Sequence, residues 1–158
     1  MASGDELRAA MRRFPAGVAV VTLAADGTRA GVTVGSLVSL SLEPPLVGIS
    51  IGVHTSPHLL LREAGRFVVN VLAGDQDDLA RHFAASVPPI AMWNGIAVRD
   101  GGLDEPLLDG ALAWLECRIA AEHPAGDHAF FVGEVLSVEL GRRAPGLAYV
   151  DGAYRRAG

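Results

Sequence analysis

The sequence predicts a mainly β protein, an antiparallel barrel with short helices packed against it. Six or seven segments rich in Val, Ile, Leu and Thr are separated by turn signals such as Asp26-Gly27 and Asp151-Gly152. The helical patterns between these segments are short and do not alternate regularly with them. A doubly wound parallel sheet requires that alternation, so an antiparallel barrel fits the pattern better.

The individual elements follow from hydrophobic spacing and from turn residues. Apolar residues between Leu7 and Phe14 have helical spacing, and Pro15 ends that helix. Ser56 is predicted to cap a second helix, with a proline at its first position and Gly65 after its end. The sequence further predicts a helix over 77–83, an irregular segment over 84–102, and strands over 18–23, 30–37, 46–53, 67–72, 112–121, 129–140, 147–150 and 153–155.

Composition limits the class of protein. The 158 residues suit one domain over 1–158, and half of them are hydrophobic, enough for a core and a buried subunit interface. A net charge of −5, with scattered arginines that cluster no further than short pairs, argues against binding of nucleic acid. The chain shows neither a signal-peptide pattern nor an apolar run long enough to span a membrane, so we expect no membrane association and a cytoplasmic location.

The cysteine and histidine content argues against a metal site. A single cysteine, Cys117, excludes an internal disulfide and a multi-cysteine metal site. Leu115 and Ile119 alternate with Cys117, which indicates a strand residue with a buried, inert thiol rather than a nucleophile. The five histidines have no spacing typical of metal ligands, so we expect no metal.

The segment 29–52 is chemically the most informative part of the chain. Two apolar runs flank small hydroxyl residues and a rigid turn at Pro44-Pro45, and Gly35 would let a ligand approach the backbone closely. The hydroxyl residues are Thr33, Ser36, Ser39 and Ser41. Such a surface can hold an uncharged planar ring by its edge and a phosphate by its oxygens. The alternative interpretation is a plain β-hairpin with polar residues facing solvent.

Five segments, in order along nearly the whole chain, resemble the short-chain flavin reductases. They are Phe14–Thr22, Gly31–Val47, Phe67–Leu72, Gly126–Val135 and Tyr149–Arg156. The resemblance implies an FMN-binding split barrel, a Greek-key-like antiparallel barrel that works as a homodimer. It also implies reduction of FMN or FAD by NADH or NADPH, with the reduced flavin supplied to a separate monooxygenase. Departures from the family pattern at Gly35, at Leu37 and over 88–93 leave the flavin preference open.

The resemblance also assigns site residues. Hydride transfer from a nicotinamide to a flavin is cofactor chemistry, so the protein chiefly has to position two rings. His128 is expected to be the catalytic residue that binds and orients the dinucleotide substrate, and Tyr154 is expected to contact the same substrate. The residues expected to bind the flavin are Thr33, Val34, Gly35, Ser36, Leu37, Ser39, Ser41, Ser50, Thr55, Ser56, Arg81 and Phe83.

Simpler interpretations stay open for several of these residues. Ser56 could only cap a helix, Phe83 and Tyr154 could only pack, and His128 could be a turn histidine bonded to Asp127. Two other functions are also open: a flavoprotein that retains FMN as a redox carrier, and a non-enzymatic split-barrel module for another planar ligand such as haem. The Gly-Asp-His motif favours the reductase, because a passive binding module has no obvious use for it.

Overall fold

The computed structural model describes all 158 residues, which form four helices and twelve strands. The helices are α1 (Gly4–Met11), α2 (Ser56–Ala64), α3 (Asp77–Ala84) and α4 (Pro89–Met92). The strands are β1 (Ala16–Gly17), β2 (Ala19–Ala25), β3 (Thr28–Val34), β4 (Val38–Leu42), β5 (Pro45–Gly52), β6 (Arg66–Val71), β7 (Val98–Arg99), β8 (Leu107–Leu108), β9 (Ala113–Ala125), β10 (His128–Leu140), β11 (Gly146–Val150) and β12 (Ala153–Ala157).

Seven strands form one sheet in the order β3-β2-β6-β9-β10-β5-β4, with every neighbouring pair antiparallel. A smaller sheet has the order β1-β11-β12, and β7 pairs with β8. The prediction of a mainly β, antiparallel protein is confirmed. No helix has both the length and the apolar character needed to cross a membrane.

The large sheet curls until β3, at one end, approaches β5 near the other end. Ser36, just beyond β3, both donates its hydroxyl to the Ser50 carbonyl (3.2 Å) and accepts from the Ser50 amide (3.0 Å). No ladder of backbone hydrogen bonds joins β3 to β5. The barrel is therefore split between these two strands, and the outer side of β3 keeps unpaired backbone groups.

Branched and aromatic side chains fill the interior, among them the fully buried Leu23, Ile49, Phe67 and Phe131. Buried polar groups are rare there, and Asn70 shows how they are satisfied. Its amide nitrogen donates to the Val20 carbonyl (2.9 Å), and its amide oxygen accepts from the Leu108 amide (2.8 Å). Asn70 thus ties β8 to the barrel wall.

The predicted strand boundaries need three corrections. The strand predicted over 30–37 ends at Val34, because the chain turns across the split and begins the separate strand β4. The segment 84–102 is not wholly irregular, since it contains α4 and β7. The strand predicted over 112–121 continues as β9 to Ala125, and it meets β10 at a two-residue turn, Gly126-Asp127.

The start of α2 also differs from the prediction. Thr55 is the N-cap residue, so Ser56 is the first helical residue and Pro57 the second. The Thr55 hydroxyl donates back to the Gly52 carbonyl (2.7 Å) and does not cap the helix. The predicted end is confirmed, because Gly65 adopts a left-handed conformation with φ of 68°.

Candidate functional site

A cleft of about 360 Å³ opens at the split between β3 and β5. Its walls are the end of β3 with the residues that follow it, the end of β5, Thr55, and the first residue of β10. The lining residues are Val32, Thr33, Val34, Gly35, Ser36, Ser50, Ile51, Gly52, Thr55 and His128. No aspartate, glutamate or arginine lines this cleft, so the only side chain in it that can carry charge is His128.

Unpaired backbone amides are the distinctive feature of the cleft. The N–H groups of Gly35, Ser36 and Leu37 donate to no acceptor within the chain. They follow directly on β3, which lies at the sheet edge and has no neighbouring strand on its outer side. A run of free donors beside an uncharged cleft suits a planar ligand with nitrogen and oxygen acceptors along one edge.

The hydroxyl groups at the cleft hold the protein backbone in place. Thr33 donates to the Ala80 carbonyl of α3 (2.7 Å), which fixes β3 against that helix. Ser36 is engaged with Ser50, and Thr55 closes the turn after β5. The ligand contacts therefore fall mainly to backbone groups, which these three hydroxyls keep rigid.

Packing within the chain does not require a glycine at position 35. A Cβ added there would lie 3.5 Å from the Ala16 Cβ, an ordinary contact, and the backbone is not left-handed. Glycine at this position is exposed at the rim of the cleft, where its missing side chain leaves the neighbouring amides accessible.

His128 begins β10, directly opposite Gly52 of β5. Its Nδ1 lies 2.7 Å from the Asp127 carboxylate, and about half of its side chain is exposed (49%). The hydrogen bond and the charge of His128 lower the pKa of Asp127, which keeps that carboxylate ionised. When Nδ1–H donates its hydrogen bond to the Asp127 carboxylate, Nε2 has no partner in the chain and is free to contact a ligand.

The geometry does not support nucleophilic catalysis. A serine nucleophile needs a base within hydrogen-bond reach of its hydroxyl. The Ser36 hydroxyl is bonded to backbone atoms of Ser50, and His128 is bonded to Asp127. No group of three or more His, Cys, Asp or Glu side chains is arranged to hold a metal ion.

A second cavity of about 430 Å³ adjoins the cleft and shares Val32 and Thr55 with it. Ser56, the segment 84–89 and Phe83 line it, again without an arginine or a carboxylate. Phe83 is only 2% exposed and packs on Gly31, where an added Cβ would come within 2.8 Å of its ring. Sequence reasoning missed the 84–89 wall as a site element, although the length of the predicted loop was a signal.

The remaining predicted site residues lie outside both cavities. Leu37 lines a separate apolar cavity, while Ser39 and Ser41 lie on β4 at the far edge of the sheet. Arg81 is paired with Asp77 and Asp78, and its guanidinium lies 5.2 Å from the centre of the Tyr154 ring. Burial, followed by the nearby Tyr149, raises the pKa of Tyr154. Arg81 and Tyr154 thus form a cluster of their own.

Comparison with known proteins agrees with this geometry. Residues 11–158 match the family described as flavin reductase like domain. The chain belongs to the flavin reductase-like family. The prediction drawn from five ordered segments is confirmed, and so is the split-barrel fold, which the solved structures of the family share.

Two relatives and one solved structure illustrate the similarity. The reductase component of a 4-hydroxyphenylacetate 3-monooxygenase from Thermus thermophilus is 38% identical over 152 residues, covering 96% of this chain and 95% of that protein. An NADH-dependent flavin reductase from Rhodococcus is 36% identical over 152 residues, covering 94% and 84%. The NADH:FAD oxidoreductase of Streptomyces globisporus, solved in complex with NAD and FAD fragments, superposes with a TM-score of 0.90 at 34% identity, covering 98% and 92%.

Proposed function

We propose that this flavin reductase-like protein reduces FMN or FAD with NADH or NADPH and releases the reduced flavin to a separate monooxygenase. The observation that carries the proposal is the row of free amides at Gly35, Ser36 and Leu37 along an uncharged cleft. The edge of a flavin ring carries nitrogen and oxygen acceptors, so the donors present suit this cofactor. One relative is the reductase component of a monooxygenase and another is an NADH-dependent flavin reductase, which supports carrying this chemistry over to this chain.

The protein's part in the reaction is to bind and orient. A bound flavin supplies the ring that accepts the hydride, and proximity to a nicotinamide supplies most of the rate gain. Ser36 and Ser50 keep the amide row rigid, since their two hydrogen bonds fix the backbone on both sides of the split. His128, oriented by Asp127, offers its free Nε2 as an acceptor to the carboxamide N–H group of the nicotinamide.

The second cavity would hold the ribityl chain and the first phosphate of the flavin. It continues from the cleft through Val32 and Thr55, and Ser56 offers a neutral hydroxyl there. Contacts of Ser39, Ser41, Arg81 and Tyr154 with a cofactor stay predictions. Because these four lie outside the cavities of their own subunit, such contacts would have to be made across a dimer interface.

We also propose that the protein acts as a homodimer. Three alternate residues at the end of β10, Leu136, Val138 and Leu140, are exposed and apolar. The edge strand β4 presents a second exposed apolar row of the same kind from Val38 to Leu42. Rows of this length on two strands are costly to leave in water. Light scattering at micromolar concentration is expected to give twice the chain mass, and a monomer would contradict the proposal.

The function is tested by mixing the purified protein with NADH or NADPH, with and without FMN or FAD, and following loss of the reduced nicotinamide. Rapid oxidation only when flavin is supplied supports the proposal and identifies both preferences. No oxidation with any pair would refute it. The cytoplasm, where NAD(P)H is regenerated, is the location that we propose along with this function.

A further inference from the structure

We propose that a third cavity, beside Arg29 and Trp93, binds the adenosine monophosphate half of FAD and makes FAD the preferred flavin. The cavity has a volume of about 510 Å³ and is lined by Gly27, Thr28, Arg29, Pro89, Ile90 and Trp93. The inference rests on the proposed flavin reductase function, and it names the substrate of that same site.

The three cavities lie along a single strand. Residues 32–34 of β3 line the cleft, residues 30–32 line the second cavity, and residues 28–29 line the third. The cleft and the second cavity share Val32, and the second and third cavities share Pro89. Strand β3 therefore runs beside one continuous path from the free amides to Arg29.

The length of this path suits a dinucleotide. Five residues separate Val34 from Arg29, which is about 17 Å along an antiparallel strand. A flavin whose ring lies at Val34 has only a five-carbon ribityl chain before its first phosphate, so FMN ends in the second cavity. A second phosphate, a ribose and an adenine are needed to reach Arg29.

The charge along the path points to the same occupant. No arginine lines the cleft or the second cavity, whereas Arg29 lines the third. Other arginines near the barrel, such as Arg62 and Arg118, are paired with glutamates, but Arg29 has no carboxylate partner. A free guanidinium at the far end of an otherwise neutral path is suited to the second phosphate of FAD.

Trp93 provides a fixed aromatic surface beside this charge. Its indole N–H donates to the Arg29 carbonyl (3.0 Å), and its ring lies 5.3 Å from the buried Phe83. The adjacent Met92 sulfur accepts from the Gly31 amide (3.2 Å), which also holds α4 against β3. An indole anchored in this way is a ready stacking partner for an adenine.

The test compares Michaelis constants for FAD and FMN in wild-type protein and in Arg29→Gln, with Arg143→Gln as the matched control. Arg143 is exposed and lines none of the three cavities. We expect Arg29→Gln to raise the KM for FAD about fivefold, as for the loss of one exposed ion pair, with little change for FMN. Trp93→Ala should raise the KM for FAD about tenfold. Arg143→Gln should change neither constant.

Since NADH also contains adenosine diphosphate, its KM is measured in parallel with FMN as acceptor. A change in the NADH constant on Arg29→Gln, with FAD unaffected, would assign the cavity to the nicotinamide dinucleotide and overturn the proposal. Equal effects on FAD and FMN would overturn it too.

Failure of the proposed function gives a different result, because no flavin would then be reduced by any variant. Competition by ADP against FAD, and not against FMN, is a further expected result.

Discussion

The clearest structural prediction concerns Ser36, whose hydroxyl is the only direct hydrogen-bonded link across the split in the barrel. It makes two neutral hydrogen bonds, to the Ser50 carbonyl and from the Ser50 amide, in a partly buried position. Each is expected to contribute about 0.5–1 kcal/mol. Ser36→Ala should therefore reduce the free energy of unfolding by about 1–2 kcal/mol, which lowers Tm by about 3–6 °C for a chain of this size.

Loss of this link should also affect the cleft, because the free amides of Gly35 and Leu37 flank Ser36. We expect the KM for FMN to rise several-fold while kcat changes less. Ser39→Ala is the matched control for the effect on stability, since Ser39 is an exposed serine on β4 whose side chain makes no hydrogen bond within the chain. Scanning calorimetry and steady-state kinetics measure both effects. Equal Tm shifts in the two variants, or an unchanged Tm in Ser36→Ala, would refute the reasoning.

Three other predictions follow from single residues. His128→Ala should raise the KM for NAD(P)H markedly with a modest change in flavin affinity, and unchanged nicotinamide kinetics would remove its proposed role. Asn70→Ala should cost about 2–4 kcal/mol in a denaturant titration, because the Leu108 amide and the Val20 carbonyl lose a buried partner. Burial raises the pKa of the Cys117 thiol to about 12, so iodoacetamide at about pH 9 should label only unfolded protein, as mass spectrometry can show. This thiol's contribution to stability is complete below about pH 8.5, its unfolded pKa, and is lost as the pH rises towards 12.

The strands of the barrel were predictable because their burial leaves a direct mark on the sequence. Val18 to Val21 and Phe67 to Val69 are buried along their whole length and are accordingly continuous apolar runs. The continuation of β9 through Pro124 could not be predicted in this way, because that part of the strand is not a continuous apolar run. Beyond Arg118, β9 pairs with β10 alone, so Pro124 costs no ladder bond on its other side.

The types of residue at the site could be predicted from the sequence, but the direction in which each side chain points could not. Ser36 and Ser39 look equivalent in sequence, yet the turn at Gly35–Leu37 places one across the split and the other on the opposite edge strand. The hydroxyl of Thr33 bonds to Ala80, a residue 47 positions away, and no local pattern reveals such a contact. The third cavity depends on the packing of α4 against β3. Helix α4 lies in the segment 84–102, which was predicted to be irregular, so this cavity could not be predicted.

The distribution of charge bears on whether the flavin is retained or exchanged. Neither the cleft nor the second cavity offers an arginine, and Arg62, in the last turn of α2, is paired with Glu122. The ring and the first phosphate would then be held mainly by neutral hydrogen bonds, each contributing about 1 kcal/mol. Such binding allows rapid release, as a protein that supplies flavin to a partner requires. We therefore expect the protein to lose FMN on dialysis, and a yellow protein after dialysis would instead favour a redox carrier that retains its cofactor.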